Sequence, residues 1–200
     1  MQALSEPFAD RVRLRSPVRS LRREADGVVL ALEGGGEVQR FDQVVVACHA
    51  DQALALLEDP SEAERSLLAS FPYQRNEAVL HTDATLLPRR AAARQAWNYH
   101  LFAQPRPATT VTYYLNRLQR LDAPEDFCVT LNLSERIDPA KVIATIDYAH
   151  PVFTQAAVAA QARHGEISGP ARRTYYCGAY WGWGFHEDGV VSALRAVEGL

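Results

Sequence analysis

The sequence predicts an α/β fold of mixed α+β character, and three observations along its 200 residues carry that prediction. Short β-branched and aromatic runs alternate with glycine turns before residue 50. A second group of strand-like runs lies between residues 76 and 133. The chain ends in an aromatic strand, a glycine-rich loop and a helix with periodic apolar residues.

The first group of runs predicts a meander followed by a buried strand. We predict strands at 11–14, 18–23, 28–32, 37–41 and 44–47. Asp26-Gly27 is a hairpin turn signal, and Gly34-Gly35-Gly36 predicts the next turn. The continuous apolar run Val44-Val45-Val46-Ala47 predicts a strand that is covered on both faces.

Helix signals follow this strand and return near the end of the chain. Cys48-His49-Ala50-Asp51 predicts the cap of a helix over 52–57. Ser61 and Glu64 have the spacing of a capping box at the start of a second helix. An alanine- and glutamine-rich segment, 154–163, predicts a third.

The second group predicts a separate sheet. Its strands are expected at 76–82, 96–102, 109–115 and 127–133. Residues 142–148 fit another strand, although their start after Asp138-Pro139 also fits a helix.

The last stretch has the pattern of a ligand site. A strand ends at Cys177, and the following loop opens a helix whose spacing of Val190, Val191, Leu194 and Val197 predicts a buried face. Such a loop brings free backbone N–H groups to a ligand.

The ligand class follows from the side chains around those N–H groups. Acids at 187 and 188, in the predicted cap and first turn, disfavour a diphosphate. A flat ring with carbonyl oxygens fits better, because Trp181, Trp183 and Phe185 offer planes to pack against. The alternative is a core strand, a tight turn and a helix that merely packs.

The stretch from Tyr176 to Gly189 resembles the C-terminal flavin-binding signature of the FAD-dependent amine oxidase and phytoene desaturase superfamily. It is most similar to the bacterial branch of predicted NAD/FAD-binding proteins. The resemblance implies a partial, discontinuous FAD/NAD(P)-binding Rossmann-like domain at 1–70 and 154–200. Residues 71–153 would form a mixed β-sheet substrate domain.

The resemblance also implies the residues that contact FAD. They are Val18, Ala47, Gly178, Ala179, Trp183, Gly184, Phe185, Glu187, Asp188 and Gly189. His49 and His186 are weak catalytic candidates by position, and catalytic residues are otherwise unassigned. His81, His100 and His164 are interpreted as structural or solvated.

The chain does not contain the G-x-G-x-x-G loop that holds the FAD diphosphate in this superfamily. It lacks the N-terminal dinucleotide-binding βαβ unit, and three explanations stay open. The sequence is a truncated flavoenzyme, the missing half is a separate chain, or the piece is a non-catalytic binding or interaction domain. We expect FAD binding by this chain alone to be weak or absent, and an exposed sheet edge to favour self-association or a partner.

Two departures from the family pattern bear on the reaction. The strand at 73–80 has no lysine where many amine oxidases carry one, and Lys141 lies far along the chain. The place of a family tyrosine falls on Phe185. These residues suit dehydrogenation or desaturation of an apolar, lipid-like substrate better than amine oxidation.

Composition excludes several classes of function. A net charge of −3 gives no basic stripe for nucleic acid, and no apolar run reaches the ~18 residues of a membrane span. Three scattered cysteines indicate neither a disulfide framework nor a metal site. Without a signal-peptide pattern, we expect a cytoplasmic protein.

Overall fold

The structure is a computed structural model that describes residues 5–36 and 38–200. The chain forms two compact units. Met1–Pro72 together with Pro151–Leu200 make the first, which we term the split unit. Tyr73–His150 make the second, which we term the insert unit. The assignment of FAD to one part of the chain and substrate to the other stays a prediction.

The split unit begins with an antiparallel meander. Its strands are β1 (Val18–Arg23), β2 (Val28–Leu32) and β3 (Gln39–Phe41), in that order across the sheet. The strand predicted at 11–14 is wrong. Glu6–Arg11 is a 3-10 helix, and a proline near its start fixes a helical φ there. The strand predicted from 37 begins at a residue outside the described ranges.

A two-stranded parallel sheet joins the two chain segments of the split unit. β4 (Val44–Val46) pairs in register with β10 (Thr174–Tyr176). The prediction that 44–47 is covered on both faces is wrong, because Val45 is 39% exposed and Ala47 is exposed. Its partner strand β10 is buried on both faces, so the exposure belongs to β4.

Helices surround these sheets where capping signals predicted them. They are α1 (Ala50–Leu56), α2 (Glu62–Leu68), α4 (Gln155–Gln161) and α5 (His186–Glu198), with the short α3 (Leu115–Leu118) in the insert unit. Ser61 and Glu64 form the predicted capping box. Thr154 caps α4 by accepting the N–H of Ala157.

The predicted buried face of α5 is wrong. Val190, Val191, Leu194 and Val197 are 46–60% exposed. The core side of the helix instead carries small residues, Ser192 and Ala196 among them. Small side chains let α5 approach β10 closely, where Ala196 packs in one cluster with Tyr175 and Cys177. The spacing of apolar residues therefore predicts the helix correctly, but the apolar face is the exposed one.

A buried charged cluster ties α2 to β1 and β10. Glu64 is fully buried and accepts hydrogen bonds from Arg23, Arg172 and the Tyr176 hydroxyl. Burial favours its neutral form, but hydrogen bonds from Arg23, Ser61 and Tyr176 prevail and lower the pKa of Glu64 to about 2.

The insert unit contains one five-stranded sheet. Its strands are β5 (Tyr73–His81), β6 (Trp97–Tyr99), β7 (Val111–Tyr114), β8 (Cys128–Leu131) and β9 (Val142–Pro151), in the order β6-β7-β8-β5-β9. The ambiguous segment after Pro139 is thus a strand.

Register assigns opposite characters to the two faces of this sheet. On one face, Leu80, Val129, Tyr113 and Trp97 are successive neighbours, and we term it the apolar face. On the other, His81, Thr130 and Thr112 lie in adjacent strands and are fully buried, and we term it the polar face.

Candidate functional site

The two parallel strands of the split unit end side by side. The N–H of Cys177 donates to the carbonyl of Val46 at 3.0 Å, so Ala47 and Gly178 leave the sheet next to each other. Ligands of α/β proteins bind at the carboxyl ends of parallel strands. The loop from Gly178 to Phe185, which we term the glycine loop, starts at this edge and leads into α5.

Gly178 cannot carry a side chain in this fold. Its φ is +155°, and an added Cβ would lie 2.5 Å from the ring of Tyr180. Its N–H donates to the hydroxyl of Ser192 at 2.9 Å, and that hydroxyl donates to the carbonyl of Gly189 at 2.8 Å. One buried serine thus fixes the start of the loop against the first turn of α5.

Asp188 fixes the other end of the loop. Its carboxylate accepts the N–H groups of Trp183 at 3.0 Å and Phe185 at 2.9 Å. A Cβ at Gly182 would lie 2.4 Å from the same carboxylate, so only glycine leaves room for it. Asp188 lies in the first helical turn, as predicted, and the cap position itself belongs to Phe185.

A third support comes from α4. The side-chain amide of Gln161 donates to the carbonyls of Tyr180 and Gly182. Sequence reasoning missed both Gln161 and Ser192. The sequence signal for both was a polar side chain among small or apolar neighbours, since Gln161 follows an alanine-rich run and Ser192 stands between Val191 and Ala193.

The aromatic residues of the glycine loop divide into buried and exposed members. Trp181 is buried and packs edge-on against Phe71 at 5.1 Å and His164 at 4.6 Å. Trp183 and Phe185 are 60% and 59% exposed. Trp181 therefore anchors the loop, and Trp183 and Phe185 are the rings available to a ligand.

Gly189 in the first turn of α5 leaves room for a side chain that it does not have. A Cβ built on Gly189 would meet only the Cβ of Ala179, at 4.0 Å, so the fold itself would accept a side chain there. The glycine keeps open a space that the chain does not fill. Together with the first turn of α5 and the exposed Trp183 and Phe185, this space has the chemistry to receive a flat, polarisable ring.

The remaining predicted residues lie in different surroundings. Ala47 is exposed at the end of β4, whereas Val18 starts β1 in the meander sheet. Glu187 and His186 are exposed in the first turn of α5. His49 is the N-cap of α1, and its backbone N–H donates to the side-chain oxygen of Gln52 at 3.2 Å. These placements leave the assigned roles as predictions.

The cysteines beside the site are poor nucleophiles. Burial raises the pKa of the Cys48 thiol and that of the Cys177 thiol. Within the described ranges, no three His, Cys, Asp or Glu residues gather as a metal site would require. No helix among the same residues is long and apolar enough to cross a membrane.

Known proteins share both sequence and fold with this chain. Residues 1–91 match the family model described as flavin containing amine oxidoreductase. The chain resembles flavin amine oxidoreductases. A putative protoporphyrinogen oxidase from Exiguobacterium sp. 255-15 matches over 98% of the chain with a TM-score of 0.67 and 16% identity. The mixed α/β fold, similar to that of FAD-dependent oxidases, is thereby confirmed.

Further solved structures widen the range of chemistry on this fold. A CLA-producing fatty acid isomerase from P. acnes matches 92% of the chain with a TM-score of 0.58 and 14% identity. Putrescine oxidase bound to putrescine matches 98% with a TM-score of 0.60 and 12% identity. The chain spans 47–50% of these three structures. No curated protein matches its sequence.

Proposed function

We propose that this chain is the flavin-ring-binding and substrate-binding portion of an FAD-dependent oxidoreductase. The observation that carries the proposal is the room at Gly189 in the first turn of α5, at the end of a loop whose Trp183 and Phe185 rings are exposed. The matched family model over residues 1–91 supports it independently, because that match lies outside the glycine loop. When bound, FAD supplies the ability to accept a hydride from a substrate carbon.

The protein's own contribution is position and charge. The amino-terminal end of α5 carries partial positive charge, which favours a carbonyl or a developing negative charge placed against it. Ser192, Asp188 and Gln161 hold the loop before any ligand arrives, so little ordering is needed on binding. His186, exposed at the start of α5, is the better-placed of the two histidine candidates because His49 already caps α1.

The substrate we propose is apolar. The apolar face of the insert sheet presents Trp97 and Tyr99, 58% and 62% exposed, and β9 adds Ile146 and Tyr148, each 48% exposed. The fold alone does not choose the substrate, since it serves a fatty acid isomerase and a putrescine oxidase alike. The residues favour dehydrogenation or desaturation, because Phe185 brings no hydroxyl and β5 brings no lysine.

We further propose that the FAD diphosphate is held by a polypeptide segment other than these 200 residues. No G-x-G-x-x-G loop occurs in them, and the exposed valines and Leu194 of α5 present an apolar stripe for a covering element. A second candidate function is an interaction domain that uses this stripe without flavin chemistry. On either account the chain alone binds FAD weakly or not at all.

The experiment compares two glycines in a chain supplied with a dinucleotide-binding half, either fused or co-expressed. Gly189→Val should lower FAD affinity by at least ~10-fold without loss of stability, because Val is a better helix former than Gly and the fold has room. Gly182→Val should destabilise the split unit, because it displaces Asp188. Equal FAD affinity for Gly189→Val and the parent protein would reject the flavin site, and the interaction domain would then be the remaining candidate function.

A further inference from the structure

A chain of side-chain hydrogen bonds crosses the three strands β5, β8 and β7 on the polar face of the insert sheet and ends at His100, which directly follows β6. His81 Nε2 lies 2.7 Å from Thr130 Oγ1, and Thr130 Oγ1 lies 2.8 Å from Thr112 Oγ1. Thr112 Oγ1 in turn lies 2.8 Å from His100 Nε2. His81, Thr130 and Thr112 are fully buried, and His100 is half-buried.

The backbone fixes the direction of this chain at one end. The N–H of Asp83 donates to His81 Nδ1 at 3.1 Å, so that nitrogen must be an acceptor. Burial lowers the pKa of His81 and keeps the ring neutral. The single ring proton of His81 therefore lies on Nε2 and is donated to Thr130.

The same direction carries through to His100. Thr130 accepts from His81, and its own hydroxyl proton has one acceptor among the hydrogen bonds of the described residues, Thr112. The opposite orientation would leave a fully buried hydroxyl proton unpaired, which is costly. Thr112 then donates to His100 Nε2. Because burial also lowers the pKa of His100, its neutral ring bears its proton on Nδ1.

His100 opens onto a cavity of about 240 Å³. Its lining also includes two residues with hydrogen-bond donor groups, Gln104 and Arg106, and the apolar Phe102 and Leu101. The guanidinium groups of Arg106 and Arg136 lie 5.0 and 5.6 Å from the ring centre of Phe102. Among the described residues, Glu135 is the one acid that pairs with Arg106, so two positive charges face one negative charge here.

We propose that this cavity binds the carboxylate of an apolar organic acid. His100 Nδ1–H and the guanidinium of Arg106 donate to the carboxylate oxygens, and the apolar part lies against Phe102, Leu101 and Tyr99. The buried threonines are positioning residues, because they hold His100 in the tautomer that donates. All residues of the proposed site belong to the insert unit, so carboxylate binding can be tested independently of flavin binding.

The first test reads the proton positions directly in the full chain. Two-bond ¹H–¹⁵N spectra of the histidine rings at neutral pH should show the Nε2–H tautomer for His81 and the Nδ1–H tautomer for His100. Titration with hexanoate should shift the ring nitrogens of His100, whereas 1-hexanol should not. An Nε2–H tautomer at His100, or equal shifts with the alcohol, would overturn the proposal.

Variants separate recognition from folding. Arg106→Gln should weaken hexanoate binding at least ~10-fold, and the exposed Arg117→Gln on α3 should leave it unchanged. Thr112→Val should remove the hydroxyl that holds His100 in the Nδ1–H tautomer, and should weaken hexanoate binding several-fold although Arg106 is intact. Thr112→Ser should restore the tautomer and the affinity. Unchanged binding in Thr112→Val would refute the positioning role. Inorganic phosphate that binds as tightly as hexanoate would refute the carboxylate class.

Discussion

Both units of this protein contain buried polar residues, and the cluster around Glu64 in one unit and the hydrogen-bond chain from His81 in the other accommodate burial differently. In the split unit, the carboxylate of Glu64 is surrounded by Arg23, Arg172 and the Tyr176 hydroxyl. In the insert unit, His81 and Thr130 form part of a chain that contains no charge. The first cluster keeps its charges by pairing them, and the second avoids charge altogether.

The difference teaches what each cluster can do. In the charged cluster every hydrogen bond ends at the Glu64 carboxylate, which only accepts, so the cluster joins α2, β1 and β10 but passes no orientation further. A neutral chain of hydroxyl and imidazole groups has a direction, which one backbone N–H at Asp83 sets for every member. The charged cluster of the split unit holds its elements together, whereas the neutral chain of the insert unit fixes the orientation of hydrogen bonds across the sheet. The following predictions test this contrast.

The largest effect should come from Glu64→Gln. The change removes the buried counter-charge of Arg23, whose side chain is 8% exposed and which keeps the partly exposed Asp59 as a partner. We therefore expect the split unit to lose about 3 kcal/mol, the lower end of the cost of breaking a buried ion pair. Hydrogen exchange of the Tyr176 amide measures it. Glu62→Gln, two positions nearer the start of α2 and exposed, is the matched control and should cost less than about 1 kcal/mol. Similar losses for both variants would show that the cluster contributes no special stability.

Thr130→Val should have an intermediate effect confined to the insert unit. Valine matches threonine in shape and suits a strand, but it leaves the His81 Nε2–H unpaired, at a cost of about 1–3 kcal/mol. Hydrogen exchange of the β8 amides gives the value, and Thr130→Ser should recover most of it. A fully stable valine variant would mean that the chain of hydrogen bonds is not required for folding.

Mild acid should weaken the insert unit more steeply than the split unit. Burial lowers the folded-state pKa of His81, His100 and His164, so the unfolded chain takes up these protons first. Stability is full above the ordinary histidine pKa near 6.5 and falls as pH drops below it.

The slopes distinguish the units. Two such histidines predict up to about 2.7 kcal/mol per pH unit for the insert unit, and one predicts up to about 1.4 for the split unit. Loss of stability from Glu64 and Asp83, whose pKa values are both lowered to about 2, begins only below about pH 4.5. Unfolding free energies at pH 7, 6 and 5 check this, and equal slopes would contradict it.

The smallest effect should come from Lys141→Gln. Lys141 lies 3.6 Å from the Asp83 carboxylate and is 44% exposed, so its removal should cost less than about 1 kcal/mol. Asp83 keeps the N–H groups of Thr85 and Asp138 as donors. Urea unfolding of the insert unit measures the difference. A loss near that of Glu64→Gln would mean that charge pairing governs both clusters.

Sequence predicted the elements well where local chemistry decides them. Capping at Ser61, the alanine-rich helix at 154–163, the turn at Asp26-Gly27 and the periodicity of α5 depend on neighbours within a few residues. The strand–loop–helix form of the candidate site was predictable for the same reason. Its pairing partner, β4, was indicated by the family resemblance and is confirmed by the register of Val44–Val46 with Thr174–Tyr176.

What the sequence could not predict depends on contacts between distant residues. Periodicity gives two faces of α5 but not which faces the core, and here the smaller side chains pack inward. The partners of Gln161 lie 19 and 21 residues away, and Thr112 and Thr130 meet only because β7 pairs with β8 in one register. No local rule signals either contact.

The contact between Gly182 and Asp188 couples the residues that the two positions can accept. Any side chain at 182 occupies the volume of the 188 carboxylate, and a smaller residue at 188 leaves two loop N–H groups without their acceptor. Single replacements at either position are therefore penalised, whereas a joint replacement by a larger residue at 182 and a smaller one at 188 meets the steric requirement. Relatives that keep this loop should carry substitutions at the two positions in pairs.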